Sequence, residues 1–241
     1  MLYSLYQRQS DMFEPLRRAA QQAQAVMMPL CGLPGLGGLT GIAAVWEFIA
    51  RAGLTHERPQ FDIDHVRVDG AETKVIEEVF QTTPFATLLH FKKKTALPQP
   101  RVLVVAPLSG HFSTLLRNTV QTLLPEHDVF LTDWHNARVI PVTAGRFGFD
   151  EYIEHIITFV EALGPSSHII AVCQPCVHAL AAVAIMAEDK NPAQPRSMTL
   201  MAGPVDTRVN PTGVNRLANE KSIGWFERNL IGITPARYAG A

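Results

Sequence analysis

The chain has 241 residues, of which 47% are apolar and 18% are charged, and its formal net charge is -1. This composition predicts a folded protein with a sizeable core and excludes a disordered chain. The near-neutral charge implies no basic surface, so we expect no nucleic acid among the partners. The three cysteines are too few for a disulfide framework and suit a reducing compartment.

The first sixty residues are predicted to form a helical extension with a Gly/Pro-rich connector. Residues 2–28 are amphipathic and should form a helix that ends at Pro29, and they lack the features of a secretory signal. A second helix is expected over residues 42–52. Residues 19–46 carry no charge, but glycines and prolines interrupt them, so a loop region is favoured over a membrane span. Contact of this stretch with lipid or an apolar polymer is the alternative.

From residue 61 the pattern changes to that of strands. FDIDHVRV (61–68) and TKVIEEVF (73–80) alternate apolar and polar residues around Gly70, which predicts a hairpin. A third strand is expected near residues 87–91. Four short apolar runs then alternate with helix-like stretches, which predicts a parallel α/β sheet within a domain over 61–241. The runs are 101–107, 128–134, 168–173 and 197–204, and the helices are 113–124, 150–163 and 177–188.

In open α/β sheets, ligands bind at the carboxyl ends of the strands. One such end is Ala171-Val172-Cys173-Gln174-Pro175, followed by Cys176. The stretch has the form small-x-nucleophile-x-small of a strand-to-helix elbow, with cysteine in place of serine. In that interpretation the backbone N–H of Gln174 would stabilise an oxyanion. A dithiol redox pair and plain core cysteines remain open on pattern alone, whereas no recognised metal-ligand spacing is present.

Longer stretches resemble a known family, the intracellular polyhydroxybutyrate depolymerases. The matching segments cover essentially the whole chain: 83–94, 101–138, 145–155, AVCQP (171–175), 187–212 and 225–232. This resemblance implies an α/β-hydrolase-type sheet in which Cys173 is the nucleophile. It also implies hydrolysis of stored poly(3-hydroxybutyrate) to 3-hydroxybutyrate units without a metal or organic cofactor. The implied setting is the cytoplasm, at the surface of storage granules.

The resemblance further implies an acyl-enzyme thioester, which water or a thiol such as coenzyme A would resolve. It leaves the oligomeric state open, a homo-oligomer included. Cys176 departs from the family pattern at a position with no associated role.

A cysteine nucleophile needs a base, and in this fold the acid and the histidine follow the nucleophile along the chain. No histidine lies beyond His178, which sits one turn into the helix after the elbow and points away from the expected position of a base. We therefore expect an N-terminal portion of the family, truncated before the last strands and lacking the catalytic Asp and His. On this view the chain alone has little or no depolymerase activity.

Other residues at the strand ends have weaker claims. The backbone N–H of Ser109 is the candidate for a second oxyanion donor, although Ser109 and His111 could simply cap the following helix. Asp133 precedes the nucleophile and is expected to order residues 134–136 rather than to act in catalysis. Asp206 is better placed for an acid but has no downstream histidine to orient.

Two further functions compete with the esterase. One is a truncated, non-catalytic relative that binds the granule through its N-terminal segments. The other is a dithiol oxidoreductase that uses Cys173 and Cys176.

Overall fold

The computed structural model describes residues 2–31, 38–53, 57–95, 97–108 and 112–232. Within these ranges the α-helices are α1 (Leu2–Cys31), α2 (Leu39–Arg51), α3 (Arg117–Leu123), α4 (Phe149–Leu163), α5 (Pro175–Glu188), α6 (Gly213–Glu220) and α7 (Ile223–Asn229). The strands are β1 (His65–Val68), β2 (Ala71–Thr82), β3 (Ala86–Lys93), β4 (Arg101–Val105), β5 (Asp128–Trp134), β6 (His168–Val172) and β7 (Ser197–Met201). Short 3-10 turns cover Ser113–Leu116, Ala137–Val139 and Val142–Ala144.

The described residues divide into two compact units. The first contains α1, α2 and α7, and α1 packs against α2. The prediction that α1 ends at Pro29 was wrong, because the helix continues through Pro29 to Cys31. A proline this close to a helix end removes one N–H donor without breaking a long helix behind it. No helix in the described ranges combines the length and the apolar character needed to cross a bilayer.

The second unit, Arg58–Glu220, contains a seven-stranded sheet of order β1-β2-β3-β5-β4-β6-β7. The four apolar runs form adjacent parallel strands, as predicted, while β1, β2 and β3 join the sheet antiparallel. From β2 onward, β3 alone runs opposite to the other strands, and Cys173 follows β6. This is the α/β-hydrolase arrangement. The fold class predicted from the sequence is therefore confirmed.

The predicted hairpin is present but its first strand is shorter than expected. Asp69 and Gly70 form the turn between β1 and β2 with φ values of 50° and 78°, as an Asp-Gly hairpin turn requires. Strand β1 begins at His65 rather than at residue 61, because Asp62 at a φ of 49° interrupts the extended backbone. Phe61 and Ile63 instead insert their side chains into the core.

Strand alternation distributes the core over both faces of the sheet. On β4, Leu103 and Val105 pack with the buried sides of α4 and α5. The intervening Val102 and Val104 pack on the other face with side chains from the segment Leu116–Leu124. Both faces of β4 are thus dry, as expected for a central strand of a parallel sheet that is covered on both sides.

Candidate active site

The turn between β6 and α5 has the geometry of a nucleophile elbow. Cys173 directly follows β6 and has a φ of 69°, in the left-handed region that a non-glycine residue occupies at a cost of about 1–2 kcal/mol. Its thiol is free and exposed. Pro175 is the first residue of α5, where its missing N–H is not needed. The chain thus turns sharply and presents one sulfur atom to solvent.

The elbow is packed tightly against the end of β7. The N–H of Cys173 donates to the carbonyl of Met201 over 2.8 Å. A Cβ added to Gly203 would collide with the side chain of Cys176 and lie 2.7 Å from the carbonyl oxygen of Cys173. Ala171 is fully buried. Small residues are therefore required beside Cys173 after β7, at Gly203, as well as on β6.

Cys176 differs from Cys173 in its surroundings. It is fully buried, and its Sγ lies 3.2 Å from the carbonyl oxygen of Ala171 and 3.5 Å from that of Met201. Burial raises the pKa of the Cys176 thiol, which favours the protonated, hydrogen-bond-donating form. Burial also weighs against a role in thiol exchange. Within the described ranges, no cluster of three or more His, Cys, Asp or Glu side chains could hold a metal ion.

One of the two predicted oxyanion donors lies in the described structure. Gln174 stands between Cys173 and the first turn of α5, with helical backbone angles. Its N–H therefore belongs to the positive end of the helix dipole, where a developing oxyanion would be stabilised. Ser109 lies outside the described residues, as does His111.

The loop that follows β4 is anchored at its start by aromatic side chains. The indole N–H of Trp134 donates to the carbonyl of Ala106 over 2.9 Å, and the hydroxyl of Tyr152 reaches the same oxygen at 3.4 Å. The N–H of Ala106 donates to the hydroxyl of Thr132. Both polar backbone groups of Ala106 are thus held, which fixes the direction in which the chain leaves β4.

His178 packs against two aromatic rings. Its ring centroid lies 4.2 Å from that of Tyr152 and 4.7 Å from that of Phe149. Burial lowers the pKa of the His178 imidazole. The Nδ1 atom of His178 lies 3.4 Å from the carbonyl oxygen of Gln174. No histidine in the described part of the chain hydrogen-bonds the Cys173 thiol.

The two aspartates weighed from the sequence have other partners. Asp133 accepts a hydrogen bond from the hydroxyl of Ser113 at 2.6 Å and pairs with Nε of Arg58 at 2.8 Å. The expectation that Asp133 orders residues 134–136 was therefore wrong, because its carboxylate holds the segments before β1 and after β4. Asp206 pairs with Arg208 two residues on, and hydrogen bonds from the side chain and backbone of Arg208 lower its pKa.

Residues 202–241 match the family model described as PHB de-polymerase C-terminus. This match confirms the resemblance to the polyhydroxybutyrate depolymerases. It begins at Ala202, directly after β7 and beside the elbow. At the level of reaction class, it supports a hydrolase. A search of curated proteins finds no match to the chain.

Several solved hydrolases have a similar chain trace at low sequence identity. A putative lipase from Acinetobacter baumannii AYE is 16% identical with a TM-score of 0.43, covering 68% of this chain and 57% of its own. Naproxen esterase from Bacillus subtilis is 16% identical with a TM-score of 0.39, covering 63% and 51%. The BphD hydrolase from Rhodococcus sp. strain RHA1 is 14% identical with a TM-score of 0.36, covering 55% and 47%. The chain thus spans about half the length of these structures.

Proposed function

We propose that Cys173 is the nucleophile of an intracellular poly(3-hydroxybutyrate) depolymerase. The observation that carries the proposal is an exposed thiol on a left-handed residue between a parallel strand and a helix. Strain of this kind persists only where the surrounding structure enforces it, and it is common at functional sites. The family match over residues 202–241 supports the depolymerase part of the proposal.

The chemistry would proceed in two halves. The thiolate of Cys173 attacks a polyester carbonyl, and the N–H of Gln174 stabilises the tetrahedral oxyanion. The C–O bond then breaks, the shortened polymer leaves as an alcohol, and a thioester remains on Cys173. Water, or a thiol such as coenzyme A, attacks the thioester, releases the 3-hydroxybutyryl unit and restores the free cysteine.

Proton transfer requires a base that takes the thiol proton and returns it to the leaving alcohol. Since no described histidine bonds to Cys173, we keep the prediction that this chain alone turns over little polyester. Acylation by an activated ester needs less help, because its leaving group is a good one. The two halves of the reaction can therefore be tested separately.

The test is mass spectrometry of the chain after incubation with the p-nitrophenyl ester of 3-hydroxybutyrate. We expect one acyl group on the peptide that contains Cys173, and none there in Cys173→Ala. Cys31→Ala is the matched control, because Cys31 is also a free thiol but lies in α1. Equal labelling of Cys173→Ala, or no adduct on the parent chain, would contradict the proposal. Rapid steady-state hydrolysis that depends on Cys173 would contradict the prediction of low turnover.

We also propose that the first unit contacts the surface of the storage granule. Large apolar side chains on α1 and α2 remain exposed, among them Met12, Val26, Val45 and Phe48. An open apolar groove of about 330 Å³ lies between these helices and is lined by Phe13, Phe48 and neighbouring residues. No charge occurs between residues 19 and 46, which suits a neutral polyester.

Binding to amorphous poly(3-hydroxybutyrate) particles, measured by sedimentation, tests this second proposal. Phe48→Glu should release most of the bound chain, because it places a charge on the apolar surface at a side chain that is 76% exposed. Val142→Glu is the control, since Val142 is 77% exposed but belongs to the second unit, which contains the sheet. Equal binding of both variants would refute a contact through α1 and α2.

A further inference from the structure

The elbow holds a second sulfur that the proposed chemistry does not use. Cys176 lies one helical turn beyond Cys173 and is fully buried, although it occupies the first turn of α5. Its Sγ reaches the carbonyl oxygen of Ala171 on β6 at 3.2 Å and that of Met201 on β7 at 3.5 Å. One thiol therefore joins α5 to the carboxyl ends of two neighbouring strands.

The same carbonyl of Met201 also holds the nucleophile. It accepts the N–H of Cys173 over 2.8 Å and lies within reach of the Cys176 thiol. The N–H of Cys176 in turn donates to the carbonyl of Cys173 over 3.1 Å. Cys173 is thus held through both of its backbone polar groups, and Cys176 takes part at both points.

Both strand ends joined by Cys176 are strained. Cys173 after β6 has a φ of 69°, and Ala202 after β7 has a φ of 53°. Gly203 follows, and its backbone lies so close to Cys176 that a Cβ there would overlap the thiol. A left-handed non-glycine residue relaxes unless its surroundings hold it. The Cys176 side chain fills the space between these two turns.

We propose that Cys176 is a positioning residue, which holds the elbow in the left-handed conformation that presents Cys173 to an ester. This inference rests on the proposed role of Cys173 as a nucleophile. Cys176 acts through hydrogen bonding and volume and does not contact the substrate. Serine keeps the donor at similar size, whereas alanine removes both the donor and the sulfur volume.

The first measurement follows the elbow without any substrate. Hydrogen exchange of the Cys173 amide, observed by NMR, reports on its bond to Met201. We expect Cys176→Ala to exchange this amide about tenfold faster than the parent, and Cys176→Ser to stay within about twofold of it. Unchanged exchange in Cys176→Ala would overturn the proposal, and so would equally fast exchange in Cys176→Ser.

The second measurement is the single-turnover acylation of Cys173 by p-nitrophenyl butyrate. The thiolate forms a C–S bond with the butyryl carbon, and p-nitrophenolate leaves with the electrons of the broken C–O bond. Cys176→Ala should slow this step about tenfold, equivalent to about 1.4 kcal/mol, and Cys176→Ser should restore it. An acylation rate in Cys176→Ala equal to that of the parent would refute the effect on Cys173.

Ala182→Gly is the matched control, because Ala182 is fully buried in the same helix but lies two turns from the elbow. It should lower overall stability while leaving both measurements at the parent values. If Cys176→Ala does not fold, Cys176→Val takes its place, since it fills the site without a donor. A parent chain that is not acylated at all would refute the nucleophile instead, and amide exchange would still decide the role of Cys176.

Discussion

The carboxyl and amino ends of the parallel strands differ in backbone strain and in side-chain pairing. At the carboxyl end, Cys173 and Ala202 are held in left-handed conformations against a backbone with no room for a side chain at Gly203. At the amino end, His90 of β3 bridges Glu78 of β2 and Asp128 of β5, at 2.9 Å and 2.7 Å. The carboxyl end thus contains a strained backbone around an exposed thiol, whereas the amino end contains ion pairs that link three strands.

This difference indicates that the carboxyl end lowers the folding stability and that the amino end raises it. Strained backbone costs free energy that must be recovered from the rest of the fold. The bridge at His90 is stacked on Phe130, with ring centroids 4.3 Å apart and planes nearly parallel. Substitutions at the two ends should therefore differ in kind as well as in size.

The largest effect should come from filling the close contact at the carboxyl end. Gly203→Ala places a methyl group where Cys176 and the carbonyl of Cys173 already lie, so unfolding free energy should fall by about 2 kcal/mol. Urea denaturation measures the change. Gly213→Ala is the control, because a Cβ at Gly213 meets no atom within 4 Å. Similar stabilities of the two variants would show that the elbow is not tightly packed.

A smaller effect should reveal the backbone strain at Cys173 directly. Cys173→Gly should be more stable than Cys173→Ala by about 1 kcal/mol, because glycine adopts a φ of 69° without steric cost. The Cys173 side chain is exposed, so little packing is lost in either variant. Thermal and urea unfolding of the two proteins give the difference. The reverse order would mean that the turn is unstrained.

At the amino end, the expected effect depends on pH. Burial lowers the pKa of His90, but its hydrogen bonds with Asp128 and Glu78 outweigh burial and raise the pKa overall. The hydrogen bond with His90 lowers the pKa of Glu78, and Lys92 acts in the same direction. A raised histidine pKa stabilises the fold below the unfolded-state value and loses this contribution as pH rises through the folded-state value.

His90→Gln should therefore cost about 1 kcal/mol near pH 5.5, falling toward zero as the pH rises past the folded-state pKa of His90. Urea midpoints measured across this range give the difference between parent and variant. His65→Gln is the control, since His65 is exposed on β1. A loss that grows with increasing pH would contradict the assigned sign.

The smallest effect is expected beside the elbow itself. Arg208→Gln removes an exposed ion pair with Asp206, and neither the urea midpoint nor the acylation of Cys173 should change measurably. Such a result would separate surface charge at the carboxyl end from the strained packing beneath it. A clear loss of acylation in Arg208→Gln would instead indicate that Asp206 takes part in the active site.

The sequence predicted the strands and the elbow because both depend on local patterns. The apolar runs of the central strands β4 and β5 are buried on both faces, and Asp69-Gly70 has the composition of a hairpin turn. Small residues around Cys173 indicated a close backbone approach. These signals lie within a few residues of the features that they predict.

The rest depends on contacts between distant segments. Asp133 bonds to Ser113 and Arg58, which no local pattern connects. The role of Gly203 becomes visible only when β7 is placed beside β6. The interruption at Asp62 was hidden because Phe61 and Ile63 keep the alternation of a strand.

The indole bond to Ala106 makes Trp134 an optical reporter of the sheet unit. Of the three tryptophans, Trp46 lies in α2 and Trp225 in α7, both in the helical unit. Replacing those two with phenylalanine leaves Trp134 as the single tryptophan, and its emission follows the start of the loop after β4. Its wavelength and quenching would track the melting of the sheet separately from that of the helices.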